Sequence, residues 1–188
     1  MNNYKYKKYT FNKLLKKLET PMFKKFFDIY INDYLSQVVH IHSIKEFIEK
    51  NNKFIDFYLE YDINSKVYFH ILIDKNEKSI VAIEKSLYIN NKFFNIKYFK
   101  PLVVNNNNYN IYYAMNLYID PNYRGKKLCT YLTDRINKNA IKNNIKYLIA
   151  EIHKDNIISI KCHIKAGFVK TSILSYKDTY FYVNSLGT

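Results

Sequence analysis

The chain has 188 residues, the length of one domain, and can bury about 70% of the surface its unfolded form exposes, so no disulfide scaffold is needed to hold it. With 48% hydrophobic and 18% aromatic residues it is too apolar for a disordered chain; no apolar run approaches the ~18 residues of a membrane-crossing helix, and the first thirty residues lack the apolar stretch of a signal peptide. The net charge of +14 raises a nucleic-acid partner, yet only Arg124 and Arg135 of the 30 basic residues are arginine, and the lysines are scattered rather than blocked. Lys, Asn, Ile, Tyr and Phe, whose codons are mostly A and T, make up more than half the chain. An AT-rich coding bias therefore accounts for the charge as a solvated lysine surface. Cys129 and Cys162 form no CxxC pair and join no His/Cys cluster at ligand spacing. The expectation is a soluble, cytoplasmic protein with reduced thiols, no metal and no membrane segment.

The first fifty residues carry a helical period. Thr10 stands as a cap for a segment with Phe11, Leu14, Leu15 and Leu18 on one face, and Thr20-Pro21 separates it from a second segment bearing Phe23, Phe26, Phe27, Tyr30 and Ile31. Ser43 and Glu46 read as a capping box opening a short helix through Glu49. From residue 54 the period reads as two, predicting an extended stretch. Strands then follow over Val67 to Ile73 and Ser79 to Ile89 around the turn Asp74 to Lys78. Asn90 to Lys92 reads as a turn, an extended stretch ends near Pro101, and the asparagines from Asn105 to Asn110 read as a loop before the apolar strand Ile111 to Ile119. Beyond Asp120-Pro121, Leu128, Leu132, Ile136 and Ile141 are spaced for one helix face; a strand over Tyr147 to Ile152, a helix over Asn156 to Lys165 and strands near Phe168 to Leu174 and Thr179 to Val183 complete the chain. Strand, crossover helix, strand, helix, strand predicts a mixed α/β sheet.

Two stretches carry chemistry. Leu117 to Cys129 is a buried strand that breaks at Pro121 into a basic, glycine-containing turn opening a helix. Helix-terminal amides from Gly125 to Thr130, with Arg124, Lys126 and Lys127 beside them, suit a pyrophosphate; an ordinary strand-to-helix turn with solubilising lysines is the alternative. His40 and His42 lack a third ligand at recognisable spacing, and neither cysteine has a sequence-visible base partner. Tyrosines near residues 30, 112, 113 and 176 are candidates for an acceptor pocket.

Ile119-Asp120-Pro121-Asn122-Tyr123-Arg124-Gly125-Lys126-Lys127-Leu128-Cys129 resembles the acyl-CoA signature of the GNAT superfamily of acyl-CoA-dependent N-acyltransferases, with Lys127 and Cys129 where that family carries glycine and glycine or alanine. Asn156-Ile157-Ile158-Ser159 followed by Cys162-His163-Ile164-Lys165-Ala166-Gly167-Phe168 resembles the family's later helix motif, in the same order and separation. The resemblance implies an α/β fold with helices flanking a central mixed, mostly antiparallel, splayed sheet. It implies one domain over residues 1–188, with helical acceptor-side elements in 1–53 and an acyl-CoA-binding core in 111–183.

The resemblance also implies roles. The backbone of Leu117, Tyr118 and Ile119 would bind the pantetheine arm and polarise the thioester carbonyl, while Arg124, Gly125, Lys126, Lys127, Leu128, Cys129 and Thr130 would hold the pyrophosphate. Asn156 would cap its helix or bond the pantetheine. Glu151, on the strand between the motifs, is the leading general base, with a structural pairing to lysine as the alternative; Glu84 and Asp120 rank behind it, and the family's acidic position on the preceding strand is Asn116 here. His163 stands where the family commonly has a tyrosine acid, as a proton donor to the CoA thiolate or a packing residue. The implied activity is acetyl transfer from acetyl-CoA to a primary amine by direct attack in a ternary complex, by a monomer or homodimer. A degenerate domain that binds a ligand or partner without turnover and a basic nucleic-acid-binding module are the alternatives; the charge disfavours a strongly cationic acceptor.

Overall fold

The computed structural model describes residues 3–61, 66–90 and 110–186. Its sheet has seven strands in the order β1-β2-β3-β4-β5-β7-β6. They are β1 (Tyr4–Thr10), β2 (Lys66–Asp74), β3 (Ser79–Asn90), β4 (Asn110–Ile119), β5 (Ile145–His153), β6 (Val169–Tyr176) and β7 (Thr179–Ser185). All neighbours are antiparallel except β4 and β5, which run parallel. A mixed sheet is what the element order predicts, and its mostly antiparallel pairing is what the family resemblance implies. The turn Asp74–Ser79, the turn between β6 and β7 and the helices opening at Phe11 and Pro21 fall where the pattern puts them. The expected turn after Asn90, the stretch to Pro101 and the asparagine loop lie outside the described residues.

Two layers of helix cover the sheet, and alternation along the strands decides which layer each side chain meets. Phe69, Ile71, Ile83 and Leu87 join α1 (Phe11–Leu18), α2 (Pro21–Tyr30) and α4 (Ile44–Tyr61) in one core. Leu72, Ala82 and Tyr112 join α5 (Leu128–Lys142) in the other. Pro121–Tyr123 forms a single 3₁₀ turn, and Ile31–Leu35 a π-helical turn that joins α2 to the short α3 (Ser36–Val38). α5 buries Leu128, Leu132, Ile136 and Ala140, a strict fourfold spacing that leaves Ile141 outside, 56% exposed, contrary to the expected face.

Three local expectations are corrected. Tyr4–Thr10 is an edge strand whose Tyr and Lys alternate across the two faces, where the sequence reading began with a helix. α4 does not stop at Glu49: Phe47, Ile48, Phe54 and Ile55 keep a helical spacing and pack on the first core, and the buried Asn51 amide donates to the Phe47 carbonyl, so the apparent alternation after residue 54 is overridden by helix packing. In the capping box Ser43 Oγ accepts from Glu46 N–H at 3.1 Å, but Glu46 Oε2 accepts from His42 N–H rather than from Ser43.

The two cysteines are joined, Cys129 to Cys162, with Cα atoms 6.1 Å apart, instead of reduced. Helix α6 (Ile157–Lys165) lies against α5, and that approach across 33 residues of sequence is what brings the thiols into bridging range.

Gly167 ends α6 at a φ of +94°. Phe168 N–H donates to His163 O and Gly167 N–H to Ile164 O, each at 3.0 Å, the double bond of a Schellman cap, and the Phe168 ring meets His163 edge-on at 5.0 Å. Gly167→Ala is expected to cost about 1–2 kcal/mol by urea denaturation, because a β-carbon is strained at this φ; it would also press on the Asn184 side chain at 3.4 Å.

Candidate active site

β4 and β5 pair only as far as Ala114 and Ala150. β4 runs on to Ile119 against β3, while β5 runs on to His153 against β7, so the sheet forks and the β4 edge over residues 115–119 loses its β5 neighbour. A strand edge without a neighbour presents N–H and C=O groups to whatever enters the fork. A bulge in β4 places Asn116 between the residues paired with Glu84 and Lys85. The fork opens on a cavity of about 400 Å³ lined by residues of β3, β4, β5, α6 and the π-helical turn.

At one end of the cavity lies the start of α5. Gly125 has a φ of +77° with nothing within 4 Å of an added β-carbon, and Lys127, the N-cap, adopts a φ of 60°. Lysine thus takes the left-handed conformation at the position where the family motif has glycine, and the loop keeps its course without it. The first bond of the helix is donated by Tyr131 N–H to Lys127 O, which leaves the amides of Leu128, Cys129 and Thr130 without intrahelical acceptors. Lys126 Nζ sits 4.4 Å from the centre of the Tyr123 ring. Arg124 turns elsewhere: Nη2 pairs with Asp33 Oδ2 at 2.7 Å, Nε donates to Ile119 O at 3.2 Å, and the guanidinium lies over Tyr118. It ties the π-helical turn to the end of β4, and Arg124 still lines the cavity.

The π-helical turn also supplies Tyr34, whose hydroxyl accepts from Asn116 Nδ2 at 3.5 Å and whose ring, with Tyr30, packs on Tyr118. Asp33 and Tyr34 were not legible as site residues, since their helix reads as ordinary core; π turns, however, recur at functional sites. Tyr112 is buried in the core, and so is Tyr30.

Both expected catalytic side chains line the cavity. Glu151 is exposed and shares its face with Phe181, toward α1, α2 and α4. His163 is buried, and burial holds its imidazole below the usual histidine range. Its Nδ1 lies 2.8 Å from the Ser159 carbonyl. A carbonyl only accepts, so Nδ1 carries the proton and the neutral ring keeps a lone pair on Nε2. Asn156 caps α6 by accepting from Ser159 N–H at 3.1 Å, as expected of it, and also lines the cavity. Glu84, ranked behind Glu151 from sequence, lines the cavity as well and is 1% exposed. Asp120 Oδ1 is occupied by Asn122 N–H in the 3₁₀ turn. Among the described residues no group of three or more His, Cys, Asp or Glu could hold a metal, and no helix is long and apolar enough to cross a membrane.

The fold is an α/β sheet forked beside the start of α5. The sequence model of the GNAT family of acetyltransferases matches residues 55–168, and the chain belongs to that family. Solved structures agree in fold. Arabidopsis thaliana NAA60 in complex with acetyl-CoA superposes with a TM-score of 0.62 at 10% identity over 97% of this chain and 98% of that one. The ribosomal-protein-S5-alanine acetyltransferase of Vibrio fischeri gives 0.59 at 14% identity over 99% and 94%. The spermidine N-acetyltransferase of Vibrio cholerae with CoA and spermine gives 0.57 at 13% identity over 99% and 97%. No curated protein sequence matches the chain.

Proposed function

We propose that the protein transfers an acetyl group from acetyl-CoA to a primary amine by direct attack in a ternary complex. The observation that carries this reading is the fork of β4 from β5 over the unpaired amides of α5. Those amides and the ammonium groups of Lys126 and Lys127 suit a pyrophosphate, and the free edge of Leu117, Tyr118 and Ile119 suits an amide-bearing pantetheine arm. The same edge offers an N–H where negative charge develops on the thioester oxygen. Acetyl-CoA supplies the activated acyl group; the chain's own residues orient it and move protons. Glu151, open to the fork, takes the proton that the attacking ammonium must lose. His163, with its proton held by Ser159, accepts a hydrogen bond through Nε2. The acceptor enters on the side of Tyr34, Asn116 and the amino-terminal helices.

Calorimetric titration with acetyl-CoA, CoA and ATP tests the cofactor. Tight acetyl-CoA binding that ATP cannot match, followed by acetylation in an amine screen, is the expected result; equal binding of all three would reduce the site to plain phosphate attraction. Lys127→Glu reverses a charge beside the helix start and is expected to weaken acetyl-CoA about tenfold, a loss of about 1.4 kcal/mol; an unchanged dissociation constant would place the pyrophosphate elsewhere. Binding without turnover would favour a ligand-binding role for the domain.

A further inference from the structure

The cavity has two carboxyl side chains, and they differ in almost every respect. Glu151 is exposed on the face of α1, α2 and α4, whereas Glu84 is buried on the face of α5, the side from which the helix start addresses the cofactor. Glu84 stands opposite Leu117 on β4 and His70 on β2, both direct cross-strand partners. Ser86 Oγ donates to Glu84 Oε1 at 3.2 Å, and Oε2 has no protein partner. His70 is fully buried; the Tyr6 hydroxyl lies 2.6 Å from its Nδ1, and its Nε2 is likewise unpartnered.

The other groups facing Glu84 do not neutralise a carboxylate. Tyr6 lies beyond His70 on β1, Tyr112 is a buried phenol on β4, and α5 covers this face with Leu128, Leu132 and Ile136. On the same face, Lys8 is engaged by Tyr112 Oη at 2.5 Å and Asn139 Oδ1 at 3.1 Å, while Lys85 points to the other face, over the Phe54 ring. A carboxyl desolvated in this way, without a charge partner, is held in its protonated form. His163, by contrast, has no proton to give from Nε2 in its neutral state.

We propose that Glu84 donates the proton taken up by the departing CoA thiolate, directly or through one water. This rests on the acetyl-transfer reading. As the amine nitrogen bonds to the acyl carbon, the C–S electron pair passes to sulfur, the Glu84 O–H bond breaks and the S–H bond forms. Glu151, having passed the ammonium's first proton to solvent, takes the nitrogen's second proton and releases it to solvent in turn, while solvent returns one proton to Glu84 between turnovers. Glu84 is thus a catalytic acid on the cofactor face, paired with a base on the acceptor face; carboxyls whose surroundings separate them in this way divide the acid and base roles.

The test compares wild type, Glu84→Gln and Glu84→Asp in the full chain. Glu84→Gln is expected to lower kcat about 100-fold with the acetyl-CoA dissociation constant unchanged, which also reports that the variant is folded. The wild-type rate should fall as pH rises through about 8, where burial has pushed the Glu84 carboxyl; that limb should vanish in Glu84→Gln and persist, at reduced rate, in Glu84→Asp. Independently of turnover, the infrared C=O band of a protonated carboxyl should be present at pH 7 in wild type, absent in Glu84→Gln, and titrate away through the same pH. An active wild type without that band, or a Glu84→Gln variant with wild-type kcat and an unchanged alkaline limb, overturns the role of Glu84 alone. A wild type that binds acetyl-CoA, retains the band and acetylates no amine overturns the acetyl-transfer reading, and the donor role with it.

Discussion

Glu151→Gln is expected to lower kcat by at least about 100-fold while leaving the acetyl-CoA dissociation constant within about twofold of wild type, because general-base catalysis contributes about 10²–10⁴ in rate. The separation of the two effects follows from position. Glu151 lies one residue past Ala150, where β5 loses β4, and its cross-strand partner is Phe181 of the first core; the amides of α5 and the free edge of β4 are on other elements. On the proposed reading, removing the carboxylate removes the proton acceptor and spares the elements that would hold acetyl-CoA. Steady-state rates at saturating acetyl-CoA, with calorimetric binding alongside, provide the check. If Glu151→Gln kept full kcat, water or the acceptor itself would be the base, and Glu151 would be a surface carboxylate of the cleft rim.

The second large effect is on stability, and it arises from two buried groups whose titrations oppose each other. Burial pushes His70 from 6.5 down to about 3, so between those values the unfolded chain binds the extra proton and stability rises with pH. Glu84 is pushed by burial from 4.5 up to about 8, so between those values the native protein binds the extra proton and stability falls as pH rises. From pH 4.5 to 6.5 the slopes of His70 and Glu84 cancel, and His163, also lowered by burial, leaves a shallow rise with pH. Below that window the buried histidines act, above it Glu84, and the Glu84 limb is expected to fall by about 1.4 kcal/mol per pH unit at most. Urea unfolding from pH 3.5 to 8 should therefore give a plateau in the mildly acidic range with a decline on both sides. Glu84→Gln should abolish the alkaline decline and gain on wild type as pH rises. Identical pH curves for the two proteins would show that Glu84 does not titrate differently on folding. Above pH 8, Lys8 and Lys85, both lowered to about 8 by burial, add stability as pH rises, because the unfolded chain still holds their protons.

The amino-acid sequence by itself determined the order of strands and helices from β2 onward and the two motifs that border the cleft, because these are local: period-two alternation, Pro121 after a strand, Asn156 as an N-cap, Gly167 as a helix stop. It carried less where a local pattern admitted two structures. The Tyr/Lys alternation of residues 4–10 reads as a strand only once β2 is there to pair with it, and residues 54–61 alternate on paper yet continue α4 because Phe54 and Ile55 find the first core. Tertiary structure alone decided which carboxyl is desolvated, which nitrogen of His163 holds the proton, that Arg124 pairs with Asp33, and that Cys129 meets Cys162. Each of these depends on partners brought together by the fork of the sheet and by the helices packed on its two faces. Desolvation and hydrogen bonding act over a few ångströms, and only the folded chain sets which groups stand within them.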